Sequence, residues 1–192
     1  MKPVLVLYAT REGHTRKIAD HVAATILGRG DEVDVVDVVH PPAAFDLTRY
    51  AGAVLAASLH MGRHEREMVA FVRAHRAELE RMPTAFLSVS LAEAGVEDAT
   101  APFDKRAKAA EDVKRTVDLF CAQTGFHPMR VWPVAGALRY TQYGVILKMV
   151  MRMIARRAGE NTDTSRDHEY TDWKGLDRFV TTMAAEIEQA VA

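Results

Sequence analysis

The segment from Val4 to Lys17 constrains this chain more than any other. Val4-Leu5-Val6-Leu7-Tyr8-Ala9 is a short apolar run, the pattern of a strand buried on both faces. It breaks at Thr10-Arg11-Glu12-Gly13-His14-Thr15, and a helix opens from that turn. Such a turn aims backbone N–H groups, threonine hydroxyls and the positive end of a helix at one point, which suits an anion. The plainer alternative is an ordinary strand–helix turn capped by threonine.

Two nucleotide motifs are excluded here: neither G-x-x-x-x-G-K-[ST] nor G-x-G-x-x-G occurs in the chain. What remains, T-x-x-G-x-T between a strand and a helix, is the type of turn that holds the single phosphate of FMN.

The chain continues as alternating helices and strands. Ile18, Val22 and Ile26 mark an amphipathic helix that Gly28 and Gly30 end. Glu32 to Val39 reads as a second strand, closed by His40-Pro41-Pro42. Ala51 to Ala57 is a third, apolar on both faces, and Ser58-Leu59-His60-Met61-Gly62-Arg63-His64 is a turn leading to a helix. The core face of that helix is Met68, Phe71, Val72, His75 and Leu79, and Met82-Pro83 stops it. Thr84 to Leu91 is the fourth strand, and Ala92 to Pro102 a polar loop holding Glu93, Glu97 and Asp98. A helix with Ala110, Val113, Val117, Phe120 and Cys121 on one face runs to Gly125. Met129 to Ala135 is the fifth strand, and Pro133 inside it argues for a sheet edge. Thr171 or Asp172 caps a last helix whose core face is Leu176, Phe179, Val180, Met183 and Ile187.

Strands alternating with helices make an α/β fold, a doubly wound parallel sheet of five strands in the order 2-1-3-4-5. Ligands in such sheets sit beyond the carboxyl ends of the strands, at the switch point between strands one and three. The turns Thr10–Thr15 and Ser58–His64 flank that point, and the loop after strand four lies beside them. A phosphoacceptor site is excluded, since it needs a carboxylate where Ser58 stands.

At 192 residues the chain fits one domain, 1–192, with an insertion at about 139–170. Net charge is −1, which gives no reason to expect nucleic acid. The charge is uneven, however: from Leu119 to Gly159 there is no Asp or Glu, while Arg130, Arg139, Lys148, Arg152, Arg156 and Arg157 give +6. The rest of the chain carries −7. Within this stretch Val145 to Ile154 is apolar and methionine-rich, with Lys148, Arg152 and Arg156 forming a stripe at four-residue spacing, followed by Arg157. That pattern fits a helix lying on an anionic bilayer; burial against the sheet or in a homo-oligomer fits it as well. Cys121 is the single cysteine, read as a small core residue, so a reducing compartment is expected. No secretory leader and no run of ~18 apolar residues is present, which places the chain in the cytoplasm or peripherally on a membrane. No metal-ligand cluster stands out.

These stretches together resemble the flavodoxin-like, quinone-dependent protoporphyrinogen IX dehydrogenases. The resemblance rests on Tyr8–Thr15, on Ser58–His64, on Gly136-Ala137-Leu138-Arg139-Tyr140, and on Asn161–Thr164 with Glu169-Tyr170-Thr171-Asp172-Trp173. It implies non-covalent FMN, a tetrapyrrole substrate, a quinone acceptor (menaquinone in this family), peripheral contact with the inner face of the cytoplasmic membrane and a place in haem synthesis. On this basis Thr10, Arg11, Glu12, Gly13, His14 and Thr15 would wrap the phosphate. Ser58, Leu59, His60, Met61 and Gly62 would pass beside the flavin ring, and Ser90, Leu91, Ala92 and Gly95 would line its pyrimidine edge. Arg139, Tyr140 and Tyr143 would meet the substrate, and the helix carrying Lys148, Arg152, Arg156 and Arg157 would meet the membrane. His60 and His64 are either proton relays or solvent-exposed loop residues. The chain departs from the pattern in two ways: an aromatic residue usually stands where it has Met61, and the loop after strand four lacks the Tyr or Trp that many flavodoxins place over the ring. An electron-carrier flavodoxin, or a flavoprotein quinone reductase without porphyrinogen activity, is the alternative.

Overall fold

The computed structural model describes residues 2–138 and 168–191. Its sheet has the order β2-β1-β3-β5-β6, all parallel, from β1 (Val4–Ala9), β2 (Val33–Asp37), β3 (Gly52–His60), β5 (Thr84–Ser90) and β6 (Arg130–Ala135). This is the order expected from the sequence, with β6 at an edge as Pro133 requires. A short β4 (Arg63–His64) folds back antiparallel on β3. A separate two-stranded ribbon joins β7 (Ala137–Leu138) to β8 (His168–Glu169).

Every side chain of β1 is buried, and alternation sends the two halves of the strand into different cores. Val4, Val6 and Tyr8 face α1 (His14–Gly28) and the last helix, α6 (Trp173–Val191), through Ile18, Val22, Ile26, Leu176, Val180, Met183 and Ile187. Leu5 and Leu7 face α2 (Arg66–Ala74), α3 (Arg76–Leu79) and α5 (Phe103–Thr124) through Met68, Val72, Leu79 and Phe120. Cys121 packs beside this second core, as expected. Gly52, at the start of β3, is fixed by close approach, because a Cβ there would sit 2.7 Å from the Ile187 side chain.

Three local expectations change. The helix read continuously through His75 is two helices, since His75 leaves helical geometry at φ −111°, ψ 17° while Leu79 stays in the core. The polar stretch after strand four is not all loop: α4 spans Leu91–Glu97, with the Ser90 hydroxyl accepting from the Glu93 N–H at 3.3 Å. The turn Ser58–His64 is a hairpin rather than a plain connection, because β3 runs on to His60 and pairs with β4.

Candidate functional site

The carboxyl ends of β1, β3 and β5 converge at the switch point, and three local structures meet there. The first is the turn after β1. Gly13 takes φ +81°, a left-handed conformation that glycine adopts without a Cβ penalty. Its N–H donates to Thr10 Oγ1 at 3.0 Å, which leaves the Thr10 O–H able to donate outward. Gly13 is also the N-cap of α1 and offers no side-chain acceptor, and no acidic residue stands in the first turn. The N–H groups at the start of α1 therefore point at an open, positive spot. Thr15 is buried beneath it.

The ring of His14 is engaged elsewhere. Its Nε2 lies 2.9 Å from Thr171 Oγ1, and the Thr171 hydroxyl donates onward to the Ala135 carbonyl at 2.7 Å. Since that hydroxyl has one proton, Nε2 of His14 is the donor in the first bond. What His14 brings to the turn is its backbone N–H. The same face of α1 continues this docking. Lys17 bonds both carboxylate oxygens of Glu169 (3.0 and 2.7 Å) and lies 5.0 Å over the ring of Trp173. His21 reaches Asp177 at 2.7 Å. The segment Glu169–Trp173 thus fixes the outer face of the helix whose N-terminus forms the anion site.

The second structure is the β3–β4 hairpin. Met61 (φ 49°) and Gly62 (φ 77°) are its two left-handed turn residues, the geometry that two-residue hairpins need. The Met61 side chain is 92% exposed at the tip, between exposed His60 and exposed Arg63. Ser58 and Leu59 lie lower in the hairpin, half-buried. Neither reading of His64 survives: it is 5% exposed, Nε2 is 2.9 Å from Ser88 Oγ, and Phe86 and Phe120 flank it. Burial pushes its pKa down to about 4, so it neither relays protons nor meets solvent.

The third is the β5–α4 junction. Ser90 is buried, caps α4, and accepts the Gly136 N–H on its carbonyl at 2.9 Å. Leu91 and Ala92 open the helix at the mouth, half-buried. Gly95 is not at that edge: a Cβ on it would touch Ala109 of α5 at 3.4 Å, so it serves helix packing. Glu93 has its pKa raised to about 7, first by burial and then by Glu97. Glu97 is raised by burial and by Asp172.

Sequence reasoning passed over Glu65. It is 3% exposed and joins the first two structures, taking the Arg11 Nε at 2.7 Å and the Ser58 hydroxyl at 3.1 Å. Arg11 therefore reaches out of the turn instead of closing over it. Arg139, Tyr140, Tyr143, Lys148, Arg152, Arg156 and Arg157 lie outside the described residues. Among the described residues no group of side chains could hold a metal ion.

An uncapped helix start behind a left-handed glycine, threonines beside it, and a hairpin at the next strand end together fit a phosphate with a flat ring attached. Comparison with known proteins agrees. The model of the flavodoxin domain matches residues 5–165. The chain is 32% identical over 180 residues to the protoporphyrinogen IX dehydrogenase [quinone] of Escherichia coli strain K12, covering 94% of this chain and 93% of that protein. It is 31% identical to the Leishmania major protein of the same name, covering 94% and 74%. Among solved structures, oxidised flavodoxin 1 from Bacillus cereus superposes with a TM-score of 0.51 at 16% identity, covering 95% of this chain and 97% of that one. The chain belongs to the flavodoxin-domain family, within the group of FMN flavoprotein oxidoreductases named protoporphyrinogen IX dehydrogenase [quinone].

Proposed function

We propose that this protein oxidises protoporphyrinogen IX to protoporphyrin IX with FMN and passes the electrons to a quinone, in haem synthesis. The observation that carries the reading is the anion turn and hairpin at the switch point of a chain aligned over 94% of its length with dehydrogenases of that name. Porphyrinogen gives up six electrons and six protons, which three quinones take up as three quinols. Bound FMN supplies the two-electron chemistry for each of three rounds.

The chain's own residues hold and orient. The N–H groups of Glu12, His14 and Thr15, with the hydroxyls of Thr10 and Thr15, would hold the phosphate, while the Gly13 N–H orients the Thr10 hydroxyl. Ser58 to Gly62 and Ser90 to Ala92 would border the ring. Met61 in place of an aromatic residue leaves the hairpin tip adaptable and apolar. Arg139, Tyr140 and Tyr143 are the sequence-based candidates for the substrate, and Lys148, Arg152, Arg156 and Arg157 for contact with an anionic membrane. Among the described residues no helix is long and apolar enough to cross a membrane.

The test is anaerobic. FMN-loaded protein is mixed with protoporphyrinogen IX and a menaquinone analogue, and porphyrin fluorescence is followed. A rate well above non-enzymatic oxidation is expected. A yellow protein with no such rate reduces the reading to a flavodoxin-like carrier or quinone reductase, and a protein that FMN cannot turn yellow removes both.

A further inference from the structure

Arg11 belongs to the anion turn by sequence but not by side chain. Its Nε lies 2.7 Å from Glu65 Oε2. The other oxygen of Glu65 accepts the Ser58 hydroxyl at 3.1 Å, and the Glu65 N–H donates to the Ser58 carbonyl at 3.2 Å. A carboxylate as buried as this one, 3% exposed, is costly to keep without close donors. Arg11 and Ser58 are those donors, and the requirement works in both directions, because it also fixes where the guanidinium stands.

That position is at the foot of the β3–β4 hairpin, beside Ser58, rather than over the N–H groups that start α1. An arginine held through Nε keeps its two Nη groups as a fork. Among the described residues these groups take no hydrogen bond, and the side chain is 51% exposed. Glu67 also acts on Arg11 through its charge, with one of its oxygens bonded by Arg66 at 2.8 Å and no hydrogen bond to the guanidinium. The phosphate of a bound flavin is served by the helix start, so this cation is left for a second anion. The tip of the same hairpin carries Met61, 92% exposed, and exposed Arg63. An apolar tip flanked by cations matches a ligand with an apolar body and carboxylate arms.

We propose that Arg11 binds a carboxylate of the substrate at the hairpin rim, and that Glu65 is the positioning residue that holds its guanidinium there. This rests on the functional reading above, and the experiment separates the two. Protoporphyrin IX, which is fluorescent, is titrated into FMN-loaded protein, and so is its dimethyl ester. Wild type should prefer the free diacid. Arg11→Met should weaken the diacid about tenfold and leave the ester unchanged, the loss of one charge-assisted fork. Arg11→Lys should recover part of the preference, and Glu65→Gln should lose part of it. Quenching titrations of apoprotein with FMN and with riboflavin should show that Arg11→Met keeps their affinity ratio.

Four results would overturn the proposal. Weaker FMN with unchanged riboflavin would mean that the guanidinium serves the flavin phosphate. Equal weakening of diacid and ester would mean that Arg11 is only structural. Turnover of porphyrinogen by a wild type with no diacid preference would reject Arg11 alone, whereas no turnover and no porphyrin binding would reject the functional reading and this inference together.

Discussion

His64 gives a stability prediction with a definite sign. The imidazole is buried between Phe86 and Phe120, its Nε2 bonds Ser88 Oγ, and its pKa falls from 6.5 to about 4. In the unfolded chain the ring takes a proton as pH drops below 6.5; in the folded chain it resists until about 4. Between those values the unfolded state binds more protons, so stability falls with falling pH. The contribution is complete above 6.5, shrinks through the window, and is gone at about 4. A shift of that size corresponds to roughly 3 kcal/mol, at 1.36 kcal/mol per pH unit. The perturbation is His64→Leu, which keeps an apolar side chain between the two phenylalanines and removes the titration. Urea unfolding of both proteins at saturating FMN, at half-unit steps from pH 8 to 4, gives the difference between them, in which every other titrating group cancels. That difference should be flat above about pH 6.5 and fall by about 3 kcal/mol by pH 4. Two curves that stay parallel through the window would refute the buried, neutral imidazole.

Other consequences can be checked beside it. Glu93 titrates in the opposite sense: its pKa raised to about 7 means stability is lost as pH rises from 4.5 to about 7, so Glu93→Gln should flatten that loss in the same unfolding series. Gly13→Ala forces a Cβ into φ +81° with nothing nearby to clash; it should cost about 1 kcal/mol in apoprotein unfolding and weaken FMN on titration. Gly52→Ala would drive its methyl to 2.7 Å from Ile187 and should cost about 1–3 kcal/mol, partly recovered by Ile187→Val in a double-mutant cycle. Thr171→Val leaves the His14 Nε2–H and the Ala135 carbonyl without the hydroxyl between them and should lower stability by about 1–3 kcal/mol in urea melts.

The sheet was legible because its signals are local. β1 and β3 are apolar on both faces, the turns after them contain the breaking residues, and Pro133 marked the edge by what it cannot donate. Helix α4 has a local signal too, since Ser90-Leu91-Ala92-Glu93 carries the S-x-x-E pattern of a capped start, but the polar residues that follow it match a loop as well. The hairpin was harder, since Met61-Gly62 is not one of the asparagine– or aspartate–glycine pairs that announce such a turn, and apolar patterning stops at Ala57 while β3 continues to His60. His64 and Glu65 had no local signal at all. One is buried because Phe86, Ser88 and Phe120 come from other elements, and the other because Arg11 stands 54 residues away.

That distance effect also explains why the segment Glu169–Trp173 accompanies an anion turn so far from it in sequence. A helix start can hold phosphate only if its N–H groups stay put, and here the N-cap is a glycine that contributes no side-chain bond. The positioning must come from further along α1. His14 is tied through Thr171 to the end of β6, Lys17 lies between Glu169 and Trp173, and His21 and Thr25 share Asp177. Each exposed pair contributes only a few tenths of a kcal/mol, but they act on one rigid helix, three or four residues apart along one face. Their sum restrains the roll and slide of α1, which are the motions that would move its first N–H groups. The open cap and the outer ladder are therefore two halves of one device. The glycine leaves the donors unspent, and the carboxyl-terminal segment holds the helix that presents them.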